Sequence, residues 1–321
     1  KNNLTELTVP SSVVKIGDSA FASCSKLYKI TFMSDETAKE IAFGTDVFKS
    51  NSKLDEITLP DSIKEFSPTL FDGCSALQNV YISNNAKYKS MNGVICGVNQ
   101  TSGAVDTILY FPRGRDGEYT IPAGITAIGE AAFKSNTKLT KLTVPGYVTY
   151  IGKEAFRSCS GILELEFLGK ANDESLTIEE YAFYGLSKIE ELTLPENLKV
   201  MKAHAFGGTS KLRTLNLNIV RTVVDYAEYS FHNDASTHIG YLYYINIGKD
   251  TPKIDNFGNV LGSSSLKEVN VDENNQSYFS QDGVLFSRTL GENAEIEIVY
   301  FPDAIEGEYV IPETIEGKGT I

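Results

Sequence analysis

Three glutamates (Glu164, Glu166, Glu191) and three tyrosines (Tyr81, Tyr243, Tyr244) are the residues of this 321-residue chain whose type and spacing point to surface chemistry. Glu164 and Glu166 alternate on one stretch, and Glu191 opens the equivalent stretch of the next unit. The three carboxylates are therefore expected on adjacent strands, where like charges cost stability unless a cation or basic partner joins them. A retaining glycosidase needs two carboxylates about 5–5.5 Å apart and a cleft that raises one pKa. An open strand ladder encloses nothing, so a catalytic pair is not expected. The tyrosines interrupt columns otherwise made of Thr, Asn and charged residues, and Tyr241 flanks the second group. Such rings supply contact area at low entropy cost, as at binding interfaces.

Other chemistry is sparse. No Gly-x-Ser-x-Gly, phosphate-binding loop, His-Glu-x-x-His or Cys-x-x-Cys is present, and His204, His232 and His238 are too scattered for a metal cluster. No catalytic residue, cofactor site or metal ligand is assigned. Arg113-Gly114-Arg115-Asp116 reads as a charged hairpin turn. Cys24, Cys74 and Cys159 share one repeat phase with Asn51, Asn136, Leu186 and Thr209, which reads as a small interior slot. A whole unit separates Cys24 from Cys74, beyond the roughly 7 Å limit for a disulfide. Cys96 stands where Phe286 stands in a related segment, so all four thiols are expected free and buried.

The elements that must position these residues repeat. Leu4-x-x-Leu7-x-Val9-Pro10, Val13-x-x-Ile16-Gly17, Ala20-Phe21-x-x-Cys24 returns from Leu54, Leu139 and Ile189. A fixed period of this size denotes a solenoid, because one unit cannot bury its own apolar face. Each unit reads as a short parallel strand, followed by Pro in six of them, a second extended segment, and one helical turn whose Phe plugs the layer. After Ile82 and Val271, Tyr88-x-Ser90-x-x-Gly93-Val94 and Tyr278-x-Ser280-x-x-Gly283-Val284 open inserted β-hairpins, about 86–118 and 276–308. Residues 1–321 are read as a single right-handed leucine-rich-repeat coil, with the phrase decaying over Val220–Leu261 and Ile315–Ile321.

The combination Leu-x-x-Ile-x-Ile-Pro, Val-x-x-Ile-Gly, Ala-Phe-x-x-Cys resembles the BspA-like class of leucine-rich repeat proteins, along nearly the whole chain. The resemblance implies a secreted or surface-attached bacterial protein linked to adhesion, with no catalytic residues to carry over. A net charge of −13 disfavours nucleic acid and anionic membranes. No apolar run reaches the twenty or so residues of a membrane span, so membrane insertion by this stretch is not expected. The expected function is a non-catalytic extracellular scaffold whose concave strand face, at Tyr81, Glu164, Glu166, Glu191, Tyr243 and Tyr244, binds a host matrix or cell-surface protein or a glycan. The alternative is a spacer module with no ligand of its own. The sequence opens and stops inside a repeat, so capping units are expected in flanking segments.

Overall fold

The computed structural model describes residues 3–34, 39–169, 174–220, 225, 226, 230, 231, 242–254, 257, 265–288, 296–311, 314, 315, 319 and 320. Each unit starts with a strand whose alternate side chains point inward, and these strands stack as parallel neighbours. They are β1 (Glu6–Val9), β2 (Lys29–Phe32), β3 (Glu56–Thr58), β4 (Asn79–Tyr81), β5 (Gly117–Thr120) and β6 (Leu139–Val144). The series continues with β7 (Glu164–Phe167), β8 (Glu191–Leu194), β9 (Thr214–Leu217), β10 (Tyr244–Ile247) and β11 (Glu268–Val271). In β8, Leu192 and Leu194 are buried while Glu191 and Thr193 are exposed. Register keeps like beside like: Leu192 pairs with Leu215 and Thr193 with Asn216.

This first ladder comes in four sections: β1–β2, β3–β4, β5–β6–β7 and β8–β9–β10–β11. The breaks have two causes. Between β4 and β5 a hairpin intervenes. Between β2 and β3, and between β7 and β8, the preceding strand carries Phe32 or Phe167 at its second inward position, where every other strand has Val, Leu or Ile. Phe32 packs edge-on against Phe43 and Phe48, with centroids 5.8 and 6.5 Å away. Phe167 does the same to Phe183 at 5.9 Å. A ring in an aliphatic-sized slot of a close-packed layer spreads the coils there.

Proline ends β1, β3, β5, β6 and β8 by removing a donor, and its carbonyl then accepts from the residue three on, as from Val13 to Pro10 (3.1 Å) and from Val148 to Pro145 (3.0 Å). A second parallel ladder follows, including Ala127–Ile128, Tyr150–Ile151, Leu176–Ile178 and Leu198–Met201.

Apart from one 3₁₀ turn at Pro68–Phe71, the Ala-Phe-x-x-Cys piece is not the helical turn expected from sequence. Its amides reach across to the next coil: Phe133 donates to Ala155, Phe156 to Ala182 and Phe183 to Ala205, each at 2.7 Å. The residues two before and two after the plug adopt positive φ, as in Glu154 and Ser158 around Phe156, or Tyr181 and Gly185 around Phe183. Alternating hand turns every second amide toward the neighbouring coil (Ala131, Phe133 and Ser135), while those between bond three residues back, as Ala132 to Gly129, so this corner is a third ladder. A helix would have kept those bonds within its own coil.

The plugs form a file. Phe21, Phe48 and Phe71 stack at 6.2 and 5.8 Å. Phe133, Phe156, Phe183, Phe206 and Phe231 follow at 4.5 to 5.4 Å, with interplanar angles of 28° or less. At the first insertion the file changes residue. Tyr110 closes one core against Phe71, and its neighbour Phe111 opens the next against Phe133.

The insertions are antiparallel: Tyr88–Met91, Val94–Val98 and Val105–Tyr110 in one, Tyr278–Gln281, Val284–Arg288 and Ile296–Tyr300 in the other. Asn92-Gly93 and Asp282-Gly283 have positive φ at both positions, as a two-residue hairpin turn requires. The recurring residues tie each insertion to the coil before it. The Tyr88 hydroxyl accepts from the Phe66 amide (3.2 Å), and that of Tyr278 from Ile254 (2.6 Å). Ser90 and Ser280 accept from Ile82 and Val271, both at 3.3 Å. One expected inward residue departs: Ile311 is 49% exposed, whereas its counterpart Ile121 is buried.

Candidate functional site

The first ladder carries the candidate residues on its outward positions. Tyr81 closes β4 beside Thr58 of β3, and Tyr244 opens β10 between Thr214 and Glu268. Both are exposed. Tyr243, half-buried at the coil corner, lies between two cations: the Arg213 guanidinium 5.2 Å from its ring centre and the Lys267 ammonium 4.5 Å away. Tyr243 and Tyr244 meet edge to face at 6.4 Å. Tyr241 lies outside the described residues, as do His232 and His238.

The glutamates are not left to repel one another. Lys141 of β6 reaches both Glu164 (2.5 Å) and Glu166 (3.3 Å), and those hydrogen bonds, with Glu164 foremost, raise the lysine's pKa. The Thr143 hydroxyl also bonds Glu166 at 3.3 Å. Glu191, across the break on β8, accepts from the Asn216 amide at 2.7 Å. The cation that the sequence reading sought in a ligand is supplied by the chain. From Glu191 an amide ladder runs onward, Asn246 donating to Asn216 (2.7 Å) and Asn270 to Asn246 (3.2 Å).

A groove of about 580 Å³ lies on this face at the β2–β3 break, with Tyr28, Phe32, Asp55, Glu56 and Asp61 among its walls. Sequence reasoning missed it. The signal was available: Phe at a position otherwise aliphatic, in a unit of 27 rather than 23 residues from Lys29 to Glu56.

Arg113-Gly114-Arg115-Asp116 is structural. The Arg113 guanidinium bonds Asp72 (2.5 Å), and Arg115 reaches the Asn92 carbonyl (2.6 Å). His204 stacks on Tyr181 at 4.9 Å. Among the described residues no group of three or more His, Cys, Asp or Glu could hold a metal ion.

All four cysteines are free and buried. Their phase does more than fill space. The Cys74 thiol donates to the Phe48 carbonyl (3.1 Å), Cys159 to Phe133 (3.0 Å), and the Asn51 amide to Phe21 (3.1 Å). Each closes the plug carbonyl of the preceding coil. The set Cys, Asn, Thr already announced a donor slot, which was read as size alone. Burial pushes Cys74 up to about 11 and Cys96 and Cys159 to about 12, from an ordinary 9.0. These three thiols are expected to resist alkylation at pH 8 in the native chain and to react at once in guanidinium, a difference read by mass spectrometry. The folded state holds their protons more tightly. Their contribution is therefore complete below about pH 9 and is lost between 9 and 12 as the unfolded thiols ionise first.

The model of the BspA-type leucine-rich repeat region matches residues 1–93, 117–238 and 170–283, in six copies. The chain belongs to the BspA-type leucine-rich repeat family. Among solved structures, this BspA-type chain is similar to the pneumococcal vaccine antigen PcpA, with 27% identity and a TM-score of 0.62 over 84% of its length. A leucine-rich cell surface protein of Faecalibacterium prausnitzii A2-165 shares the fold at 20% identity and a TM-score of 0.59 over 81% of this chain. The chain spans 64% and 63% of those two structures. No curated protein matches the sequence. The BspA-type family is a repeat scaffold, and among the described residues no helix is long and apolar enough to cross a membrane.

Proposed function

We propose that this chain is a non-catalytic extracellular binding module that engages a host matrix or cell-surface protein, or a glycan, through the outward face of its first ladder. The observation that carries the reading is the pair of exposed tyrosines, Tyr81 and Tyr244, on strands otherwise lined by Thr, Asn and charged groups. A polar strand face studded with aromatic rings suits multipoint contact over several coils. Similarity to a vaccine antigen supports an outside location, since antibodies reach an antigen there. The test is capture of matrix proteins by the immobilised chain, compared with a variant carrying Tyr81→Ala, Glu166→Gln and Tyr244→Ala. Capture is expected to fall at least tenfold. Unchanged capture would reassign the chain as a spacer.

A further inference from the structure

The last section of the first ladder carries a polar array on its outward face. Strands β9, β10 and β11 place Asn216, Asn246 and Asn270 in one column and Thr214, Tyr244 and Glu268 in the next, at a strand spacing of about 4.8 Å. Earlier sections hold threonine in the amide column, Thr8 beside Thr31 and Thr120 beside Thr143. The amides are fixed end to end. Asn216 spends both N–H donors, on Glu191 (2.7 Å) and Thr193 (3.0 Å), and its oxygen accepts from Asn246 (2.7 Å). The Asn246 oxygen in turn accepts from Asn270 (3.2 Å). A side-chain amide carries two donors and an oxygen with two lone pairs. Asn246 and Asn270 therefore each keep one donor, all three oxygens keep acceptor capacity, and the ladder sets which end of each amide points where.

An aromatic ring and a carboxylate complete the array. Tyr244 is exposed and braced edge to face by Tyr243, which is itself held between Arg213 and Lys267. The Glu268 side chain has no ion pair or hydrogen bond among the described residues. Charge is balanced locally, with Glu191 and Glu268 on the face and Arg213 and Lys267 at the corner. Strands β8 to β11 are hydrogen-bonded neighbours throughout, so no further strand enters between them.

We infer that this array docks a neutral glycan, one sugar ring seated against Tyr244 and its hydroxyls bonded to Asn246, Asn270 and Glu268. A hydroxyl both donates and accepts, and so matches amides that offer both. Lys and Arg side chains only donate, so a basic peptide would leave the spare amide donors unmatched and would meet Arg213 and Lys267. A sialylated or sulfated sugar would face Glu191 and Glu268. The C–H face of a sugar carries partial positive charge and suits the negative π-face of tyrosine. From β9 to β11 the array spans about 10 Å, room for two linked rings. An open face gives each ring few contacts, so useful affinity comes from several copies engaged together. This site presupposes that the first ladder is a binding face, and it narrows the partner to one class. Its amides are untouched in the capture test above. Failure of glycan binding with tyrosine-dependent capture intact would remove only the glycan.

The test uses fluorescent beads coated with the intact chain on a printed array of neutral tetrasaccharides of glucose, galactose, mannose, xylose and N-acetylglucosamine, with sialylated and sulfated glycans on the same slide. Retention on at least one neutral sugar is expected, and it should persist at high salt. It should fall at least tenfold for Asn270→Ala, which removes an exposed amide at the ladder's end, and for Tyr244→Ala. Lys15→Ala, exposed in the first coils of the stack, should change little. Thermal melting by circular dichroism checks that each variant is folded. No neutral sugar retained, retention indifferent to Asn270→Ala in a chain that melts as the parent does, or stronger retention on the sialylated or sulfated glycans would each overturn the proposal. So would binding of a labelled oligolysine that Asn270→Ala abolishes, which would hand the array to a basic protein segment.

Discussion

Phe156→Ala is expected to destabilise the chain by about 3–5 kcal/mol, the cost of emptying a fully packed aromatic site. Phe156 is completely buried and sandwiched between Phe133 at 4.5 Å and Phe183 at 5.0 Å. Its backbone is fixed by ladder bonds on both sides, from the Phe133 corner and to Ala182, so the layer has little freedom to collapse onto the void. Phe21→Ala should cost distinctly less, because Phe21 is half-buried and stacks on Phe48 at the longer distance of 6.2 Å. In a stack stabilised by nearest neighbours, loss of one middle layer also uncouples the coils on either side. Guanidinium unfolding followed by circular dichroism should therefore show both a lower midpoint and a broader transition for Phe156→Ala. Equal losses at Phe21 and Phe156 would sink the file as the source of cohesion.

That file was legible before any coordinate, since Phe21, Phe71, Phe133, Phe156 and Phe206 hold one repeat phase and only stacking buries a ring at that interval. Inward and outward columns of the first ladder were legible for the same reason: a period of two needs no knowledge of neighbours. The corner was misread because Ala-Phe-x-x-Cys has the local composition of a turn of helix. What decides its conformation is where the amides find acceptors, and those acceptors lie a unit away in sequence. Serines at positive φ, such as Ser135 and Ser158, carry no local signature either, although Gly185 and Gly208 in the same phase hint at it. The candidate glutamates were placed on the right face but in the wrong electrostatic setting. Lys141 stands beside Glu164 in the same outward column, 23 residues earlier, so this pairing was legible from the repeat and was outweighed by attention to the like charges. Asn85 and Asn275 escaped notice too. Each opens an insertion by accepting from the Tyr88 or Tyr278 amide (3.2 and 2.8 Å), and their matching offset from those tyrosines was visible in the sequence.

Asn136→Leu should cost about 3 kcal/mol or more, although the two side chains are nearly the same size. Asn136 is fully buried and uses both ends of its amide. Its nitrogen donates to the carbonyls of Pro112 (3.2 Å) and Arg115 (3.1 Å), and its oxygen accepts from the amides of Lys138 (3.0 Å) and Leu139 (2.9 Å). The first pair lies just beyond the hairpin strand Val105–Tyr110, and the second starts β6. One side chain thus joins the insertion to the resumed stack. Leucine leaves three main-chain groups without a partner, the Arg115 carbonyl and the Lys138 and Leu139 amides, while the Pro112 carbonyl keeps the Arg115 amide, and each orphaned group carries a desolvation penalty of about 1–3 kcal/mol before relaxation. Shape is not at issue, because Leu186 fills the same phase and is itself fully buried. The loss therefore measures hydrogen bonding and not volume. Cys159→Ala, which removes a single thiol donor to Phe133, should cost less than Asn136→Leu in the same denaturation series. A change below about 1 kcal/mol for Asn136→Leu would mean that water or a shifted loop restores those bonds, and that the junction between insertion and stack is held by apolar packing alone.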